Sequence, residues 1–312
     1  MTLMNILTNR KYSWLMLTLS LGIILLCTIL YNRMAKPLKT EGFSQELPFV
    51  LKQQIAIYDD FYVSIYDEIM QPAERVDFEW TKVVDATMPS QKHSTFLDVG
   101  SGTGALTNAI QMAGYTVEGI DISPTMKQYA ESRYPDLSIT CGDVTDPMAY
   151  DRSTFSHVLC TGCTIYQFPN TLEFFQNCFY WLKPNGYLIL HLVDPHKFDT
   201  IVPAGKPASL KTPQMYASKR ITDTKIDFQE FSYHSTYDFS NYSKDSTVTM
   251  KETFTDGATN NIRQNEMVFY MEEPDAILTK ARSCGFIVHA QANYSEYNGD
   301  ANQYLFILER PH

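Results

Sequence analysis

Residues 97–106 read LDVGSGTGAL. The apolar stretch at 95–99 predicts a buried strand, and the glycines after it predict a sharp turn that hands the chain to a helix over 104–112. Gly100 and Gly102 let the backbone turn tightly and approach a ligand closely. In an open α/β sheet such a ligand sits over the carboxyl ends of the strands. The glycine spacing alone does not choose the ligand, because Gly100, Gly102 and Ala105 also satisfy the G-x-G-x-x-A form of a dinucleotide turn. The acids around it narrow the choice. Asp98 stands directly before the turn, where a carboxylate suits a cationic amino-acid group and repels a pyrophosphate. Asp121 closes the next strand, where it can accept from both hydroxyls of a ribose. Asp143 follows the third strand, in place to accept from an adenine amino group. Each of these alone could be a cap or turn residue. Three at successive strand ends predict one positively charged, nucleoside-bearing ligand.

Outward from this turn, strand and helix alternate. Strands are predicted at 116–120, 137–141, 157–160 and 187–193. Helices are predicted at 124–133, with Ser123 as N-cap, and at 171–182, ending near Pro184 and Gly186. Two helices precede the turn, at 53–70 and 73–87, separated by Pro72. Strands divided by helices predict a parallel sheet covered on both faces. The fold class is therefore α/β: a Rossmann-like, doubly wound, mostly parallel seven-stranded sheet. From 225 to 271 the pattern changes to long runs of alternating polar and apolar residues, which predict antiparallel strands with one wet face. They form an inserted antiparallel substrate sheet over about 199–271. A helix at 274–284 and strands at 286–291 and 304–308 complete a domain placed at 53–312.

The segments LDVGSGTG (97–104), VEGIDISPTM (117–126), GDVTD (142–146) and LKPNGYLILHLVD (182–194) resemble the successive motifs of class I S-adenosylmethionine (SAM)-dependent methyltransferases. The resemblance covers residues 53–195 and implies SAM as cofactor. It places Gly100 and Gly102 at the methionine end, Asp121 on the ribose, Ile122 and Met126 against the adenine, and Asp143 and Val144 at the adenine edge. Asp98 and Thr161 complete the expected cofactor set. A narrower resemblance is to sugar N,N-dimethyltransferases of antibiotic pathways and related small-molecule N-methyltransferases. It rests on Tyr66-Asp67, on the loop 160–165, on 194–198 and on the 225–271 strands. His196-Lys197 replaces that family's aromatic pair and Gln167 replaces its loop histidine, so the acceptor does not carry over.

A methyl on a sulfonium is already activated, so the protein has to align the reactants and exclude water. An oxygen acceptor also needs a base. Tyr58, Tyr62 and Tyr66 recur every four residues and form one helical stripe, read either as core or as a lid; Tyr66 is the chemical candidate. Tyr166, after the fourth strand, and His196, just past the fifth, are the other two, with His196 as the base. His191 lies inside the fifth strand and reads as a core histidine. Cys160-Thr-Gly-Cys163 is a lone C-x-x-C without a second pair, so no metal site is expected.

Residues 12–31, YSWLMLTLSLGIILLCTILY, carry no charge. About twenty apolar residues span a bilayer core, so a single-pass transmembrane helix is expected, after a short basic flank (1–11) and before a linker (32–52). The alternative is a cleaved signal peptide, which would carry a shorter apolar region and a better cleavage site. The basic residues after the segment place the catalytic domain on the cytosolic side. Net charge is −10 without a Lys/Arg run, which argues against nucleic acid as a partner. The sequence thus predicts a membrane-anchored methyltransferase that acts at nitrogen or oxygen of a small-molecule or lipid-associated acceptor. A protein methyltransferase and a non-catalytic SAM-binding scaffold are the competing readings.

Overall fold

The computed structural model describes residues 18–23, 45, 47–206 and 212–312. The chain divides into residues 1–42 and 43–312. Of the first unit only 18–23 is described, an exposed helical stretch. The transmembrane expectation for 12–31 therefore lies mostly outside the described residues. Among the described residues no helix is long and apolar enough to cross a membrane.

In the second unit the glycine turn follows β2 (Thr95–Val99), an interior strand of a seven-stranded sheet. The flanking strands are β3 (Thr116–Asp121) and β4 (Ile139–Cys141) on one side, and β5 (Phe155–Cys160) and β6 (Leu182–Val193) on the other. With β11 (Ile287–Asn293) and β12 (Gln303–Arg310) the order is β4-β3-β2-β5-β6-β12-β11. The five strands from β4 to β6 pair in parallel, and β12 runs antiparallel between β6 and β11. This is the Rossmann-like α/β arrangement the sequence predicts. Strand order reverses at β2, so the crevice past its carboxyl end is the expected ligand site.

Period-two alternation builds the two faces. Leu97 and Val99 pack with Phe174, Phe175 and Trp181 of α5 (Thr171–Trp181). Phe96, one residue before them, points the other way. It packs with Val76 and Val83 of α2 (Pro72–Thr87) and with Leu106 and Ile110 of α3 (Ala105–Met112). Burying one such side chain contributes about 1.5–3 kcal/mol, so a one-residue slip of β2 would forfeit several at once. α4 (Pro124–Arg133) begins as predicted, with Ser123 Oγ accepting from the Met126 N–H.

The 199–271 region holds β7 (Asp223–Asp227), β8 (Phe231–Asp238), β9 (Thr247–Asp256) and β10 (Ile262–Tyr270), a run of antiparallel pairs. A fifth strand joins them: β1 (Phe49–Gln53) pairs in parallel with β10. The linker reading of 32–52 therefore ends early, and the predicted 53–70 helix starts late. Asp59 caps α1 (Asp60–Met70) by accepting from the Tyr62 N–H, and a single 3-10 turn at Gln54–Ile57 separates it from β1. The partner of β1 lies more than two hundred residues away in sequence, beyond the reach of a local pattern. α1 ends where Gln71 adopts a left-handed conformation, and Pro72 opens α2.

α1 docks on this second sheet. Ile57, Tyr62, Ile65 and Ile69 pack against Tyr233, Met250, Phe254 and Met267. Glu252, fully buried in that interface, accepts from the hydroxyls of Tyr62 (3.0 Å) and Tyr233 (2.8 Å) and from Asn265 Nδ2 (3.2 Å). Such a satisfied network orients α1 more than it stabilises it, and it leaves Tyr66 facing the carboxyl end of the main sheet.

Candidate functional site

Two cavities border this region. The smaller, about 450 Å³, is walled by Gly100 and Gly102, by Asp121, Ile122 and Met126, by Asp143 and Val144, and by Tyr58 and Tyr66 of the N-terminal region. Seven of the nine residues expected at the cofactor thus converge on one space. The larger, about 1210 Å³, takes Asp67, Arg75, Cys163, Phe198, Tyr237 and Tyr294 among its walls. The loop after β5 borders both: Gly162 and Thr164 face the smaller cavity and Cys163 the larger.

The turn itself explains its glycines. Gly100 has φ +68°, and a Cβ there would lie 2.6 Å from Thr164 Cγ2. Asp121 organises the turn: one oxygen accepts from the Gly102 N–H and the other from the Ser123 N–H, both at 2.8 Å. Burial raises its pKa, and these two backbone bonds oppose the rise. Asp143 accepts from the Thr145 N–H and hydroxyl, both at 2.8 Å. Ile122 is 53% exposed at the rim, while Met126 is buried beneath it.

Tyr58 and Tyr66 line the cavity, and Tyr62 between them belongs to the core, so the tyrosine stripe is lid and core at once. Burial raises the Tyr66 pKa to about 12, so its hydroxyl stays protonated near neutral pH and acts as a donor. Asp67, on the same helix, accepts from Thr103 Oγ1 at 2.8 Å and pairs with Arg133, tying α1 to the glycine turn and to α4.

Four expectations are corrected. Asp98 does not line the cavity; it is buried and accepts from Thr107 Oγ1 at 2.7 Å, because its strand position points it under α3. Thr161 is also turned inward, its Oγ1 accepting from Arg75 at 3.3 Å, and its neighbours Gly162 and Thr164 meet the cavity instead. Tyr166 is fully buried. Its hydroxyl accepts from the Val193 N–H (2.8 Å) and donates to the Val193 carbonyl (3.3 Å), pinning the end of β6 rather than facing an acceptor. His196 is an exposed surface residue that pairs with Glu273 at 3.4 Å and rests on the Tyr242 ring, and it lines neither cavity. Tyr166→Phe is accordingly expected to cost about 1–3 kcal/mol by leaving the Val193 N–H unsatisfied. His196→Ala should stay within about 0.5 kcal/mol. Neither should change cofactor affinity; denaturant unfolding and ligand titration of both variants check this.

Burial holds the Asp98 carboxyl up at about 6 against an ordinary 3.8. The protonated form is thus favoured in the folded state. Stability is full below the unfolded pKa, falls as pH rises through that window, and levels above about 6. The loss is worth about 3 kcal/mol. Asp98→Asn, a neutral isostere that still accepts from Thr107, should flatten the stability profile between pH 4 and 6. Denaturant midpoints of both proteins across that range measure it.

Several site residues escaped sequence reasoning. Met267 and Tyr270 of β10 and Gln54 after β1 close the smaller cavity from the second sheet. Only the tertiary fold brings them there. Gln167, which stands in place of the resembled family's loop histidine, also lines it.

Comparison with known proteins agrees with this geometry. Residues 97–190 match the family described as a methyltransferase domain. A putative methyltransferase of Bacillus subtilis (strain 168), YqeM, is 30% identical over 155 residues, which cover 47% of this chain and 60% of the relative. The chain thus spans less than two thirds of that relative's length. Among solved structures, a SAM-dependent methyltransferase from Clostridium acetobutylicum ATCC 824 superposes with a TM-score of 0.61 at 16% identity, covering 80% of this chain and 98% of that one. CalS10, a SAM-bound amino pentose methyltransferase from Micromonospora echinaspora, gives 0.54 at 19% identity over 76% and 91% of the two chains. The motifs lie in order, the sheet matches, and residues 97–190 at its centre carry the methyltransferase-domain match, so the chain is similar in sequence and fold to class I SAM-dependent methyltransferases.

Proposed function

We propose that this protein transfers the methyl group of SAM to a small-molecule or lipid-associated acceptor, at nitrogen or oxygen, by in-line displacement. One observation carries the reading: Gly100 and Gly102, Asp121 and Asp143, at the ends of three successive strands, wall a single cavity capped by Tyr58 and Tyr66. The cofactor fits this donor set. A Cβ at Gly100 would press on the Thr164 side chain, so glycine lets the turn lie close against the 162–164 loop, and both line the cavity. Asp121 is fixed by two backbone donors and can accept from ribose hydroxyls through its remaining lone pairs, Asp143 suits an adenine amino group, and Ile122 and Met126 supply apolar faces for the ring.

When bound, SAM supplies an electrophilic methyl that needs no further activation. The chain's own residues bind, orient and enclose. Tyr58 and Tyr66 exclude water from above, and the loop at 162–164 borders both the cofactor cavity and the larger one, which would hold the body of the acceptor while its reacting atom reaches the methyl. That cavity, about 1210 Å³ with Phe198, Tyr237, Tyr294 and Tyr297 in its walls, suits an acceptor with a substantial apolar part. With Tyr166 and His196 out of the site, catalysis rests on alignment, which suits an acceptor that needs no strong base.

The uncharged run at 12–31 supports a single-pass anchor, and the basic residues after it support a catalytic domain on the cytosolic side, so the acceptor would be presented at a membrane. The full chain, incubated with methyl-labelled SAM and either a lipid or an aqueous cell extract, tests the reading. Label should move into one extractable compound, and into the lipid fraction if the anchor serves its acceptor. Label confined to protein, or none transferred, would refute it.

A further inference from the structure

Cys163, Tyr294 and Gln303 in the wall of the larger cavity are joined to His191 and Asp300, buried behind it, in an array with no role in aligning SAM. Asp300 Oδ2 accepts from the backbone N–H of Asp199 and from Gln303 Nε2, both at 2.7 Å. With its amide nitrogen committed there, Gln303 turns Oε1 toward His191 Nε2, 2.9 Å away. An amide oxygen can only accept, so Nε2 carries the hydrogen and Nδ1 offers a lone pair. That lone pair faces Cys163 Sγ at 3.6 Å. The imidazole is held flat against the Tyr294 ring, centroids 4.3 Å apart, and Tyr294 is anchored through its hydroxyl to Glu79 at 2.6 Å. Glu79 is itself bound by Arg75 at 2.9 Å. Every link in the chain from Asp300 to the thiol is fixed by its neighbour.

Cys163 differs from the other described cysteines. Cys160 and Cys178 are fully buried, while exposed Cys141 and half-buried Cys284 have no histidine against them. Cys163 is half buried and opens onto the larger cavity beside Phe198 and Tyr237. Burial holds the His191 pKa down to about 4 and the thiol up to about 12. The resting pair is therefore an S–H and an unprotonated imidazole; both shifts oppose proton transfer at rest, so the proton moves only as sulfur bonds to its target.

We infer that Cys163 and His191 form a nucleophile–base pair that takes electron-poor alkenes, such as α,β-unsaturated carbonyl compounds, entering the larger cavity. Sulfur bonds to the β-carbon as its proton passes to His191 Nδ1. The alkene π pair moves toward the carbonyl, and the imidazolium returns the proton to the α-carbon. The product is a thioether, His191 is again neutral, and no leaving group or redox partner is needed. Aromatic walls suit a flat conjugated ligand. Acyl or phosphoryl transfer would call for a free cation to hold an anion, and Arg75 in this wall is already engaged by Glu79. Gln303 acts as a positioning residue, because it sets the tautomer.

N-ethylmaleimide is itself such an alkene. Its addition to the full chain, followed site by site by peptide mass spectrometry without SAM, tests the proposal separately from methyl transfer. Labelling at Cys163 should slow at least about 100-fold in His191→Gln, the lower side of what a positioned base supplies, and measurably in Gln303→Leu. Labelling at exposed Cys141 should stay within about twofold as the internal reference. Should His191→Gln misfold, buried Cys160 and Cys178 will also label, and Gln303→Leu then decides. A wild-type Cys163 left unlabelled under conditions that label Cys141, or a rate unchanged in the folded variants, would overturn the proposal.

Discussion

Gly100→Ala is expected to raise the dissociation constant for SAM at least about thirty-fold. Two costs add. A non-glycine residue at φ +68° pays roughly 1–2 kcal/mol for the left-handed backbone. The new methyl would also meet Thr164 Cγ2 at 2.6 Å and Oγ1 at 2.9 Å. Relieving that contact means moving the loop that borders both cavities, and such overpacking typically costs about 1–3 kcal/mol. Gly102→Ala is the control. Its φ is +53°, but the nearest atom to its Cβ is the Gly100 carbonyl oxygen at 3.9 Å, so only the backbone cost applies. If crowding against Thr164 matters, Gly100→Ala will be clearly worse than Gly102→Ala in a SAM titration, and Gly100→Ala combined with Thr164→Ser will recover part of the loss. Equal effects at the two glycines would refute the crowding argument.

Asp121→Asn should weaken SAM binding about 100-fold, with a smaller loss of stability. Both carboxylate oxygens accept from backbone N–H groups, at Gly102 and Ser123. An amide keeps one acceptor and turns its NH2 toward the other N–H, so donor meets donor inside the turn. A lost hydrogen bond to a charged group costs about 1.5–3 kcal/mol, and the same carboxylate is the proposed acceptor for the ribose. Asp143→Asn is expected to be milder, because its partners on Thr145 are exposed. Titrations of the three proteins, with thermal denaturation alongside, separate loss of the site from loss of the fold. An Asp121→Asn protein that binds as tightly as wild type would remove Asp121 from the cofactor site.

The parts legible in the sequence were those written in short-range pattern. The buried run before Gly100, the glycines, the acids at 121 and 143 and the alternation of strands with helices each reflect a local rule, and the fold assembles them as those rules require. What failed was direction. Asp98 and Thr161 were assigned to the right turns, but the pleat and the loop aim them at Thr107 and Arg75 instead of the cavity. Tyr166 sits where an acceptor-facing residue would sit in sequence, yet its hydroxyl is spent on both backbone groups of Val193. His196 passes the end of the correct strand and then turns out to solvent. A residue number states which loop a side chain belongs to, and only packing states which way it points. β1 was missed for a second reason: its pairing partner, β10, lies far along the chain. The Cys163–His191 array shares that cause, since it joins a loop after β5, the interior of β6 and the start of β12.

Calorimetric titration of the full-length protein with SAM, and in parallel with NADH, tests the central claim most directly. The account predicts saturable heat for about one SAM per chain, greatly weakened in Asp121→Asn, and none for NADH. Absence of heat with SAM, or binding of NADH in its place, would contradict it.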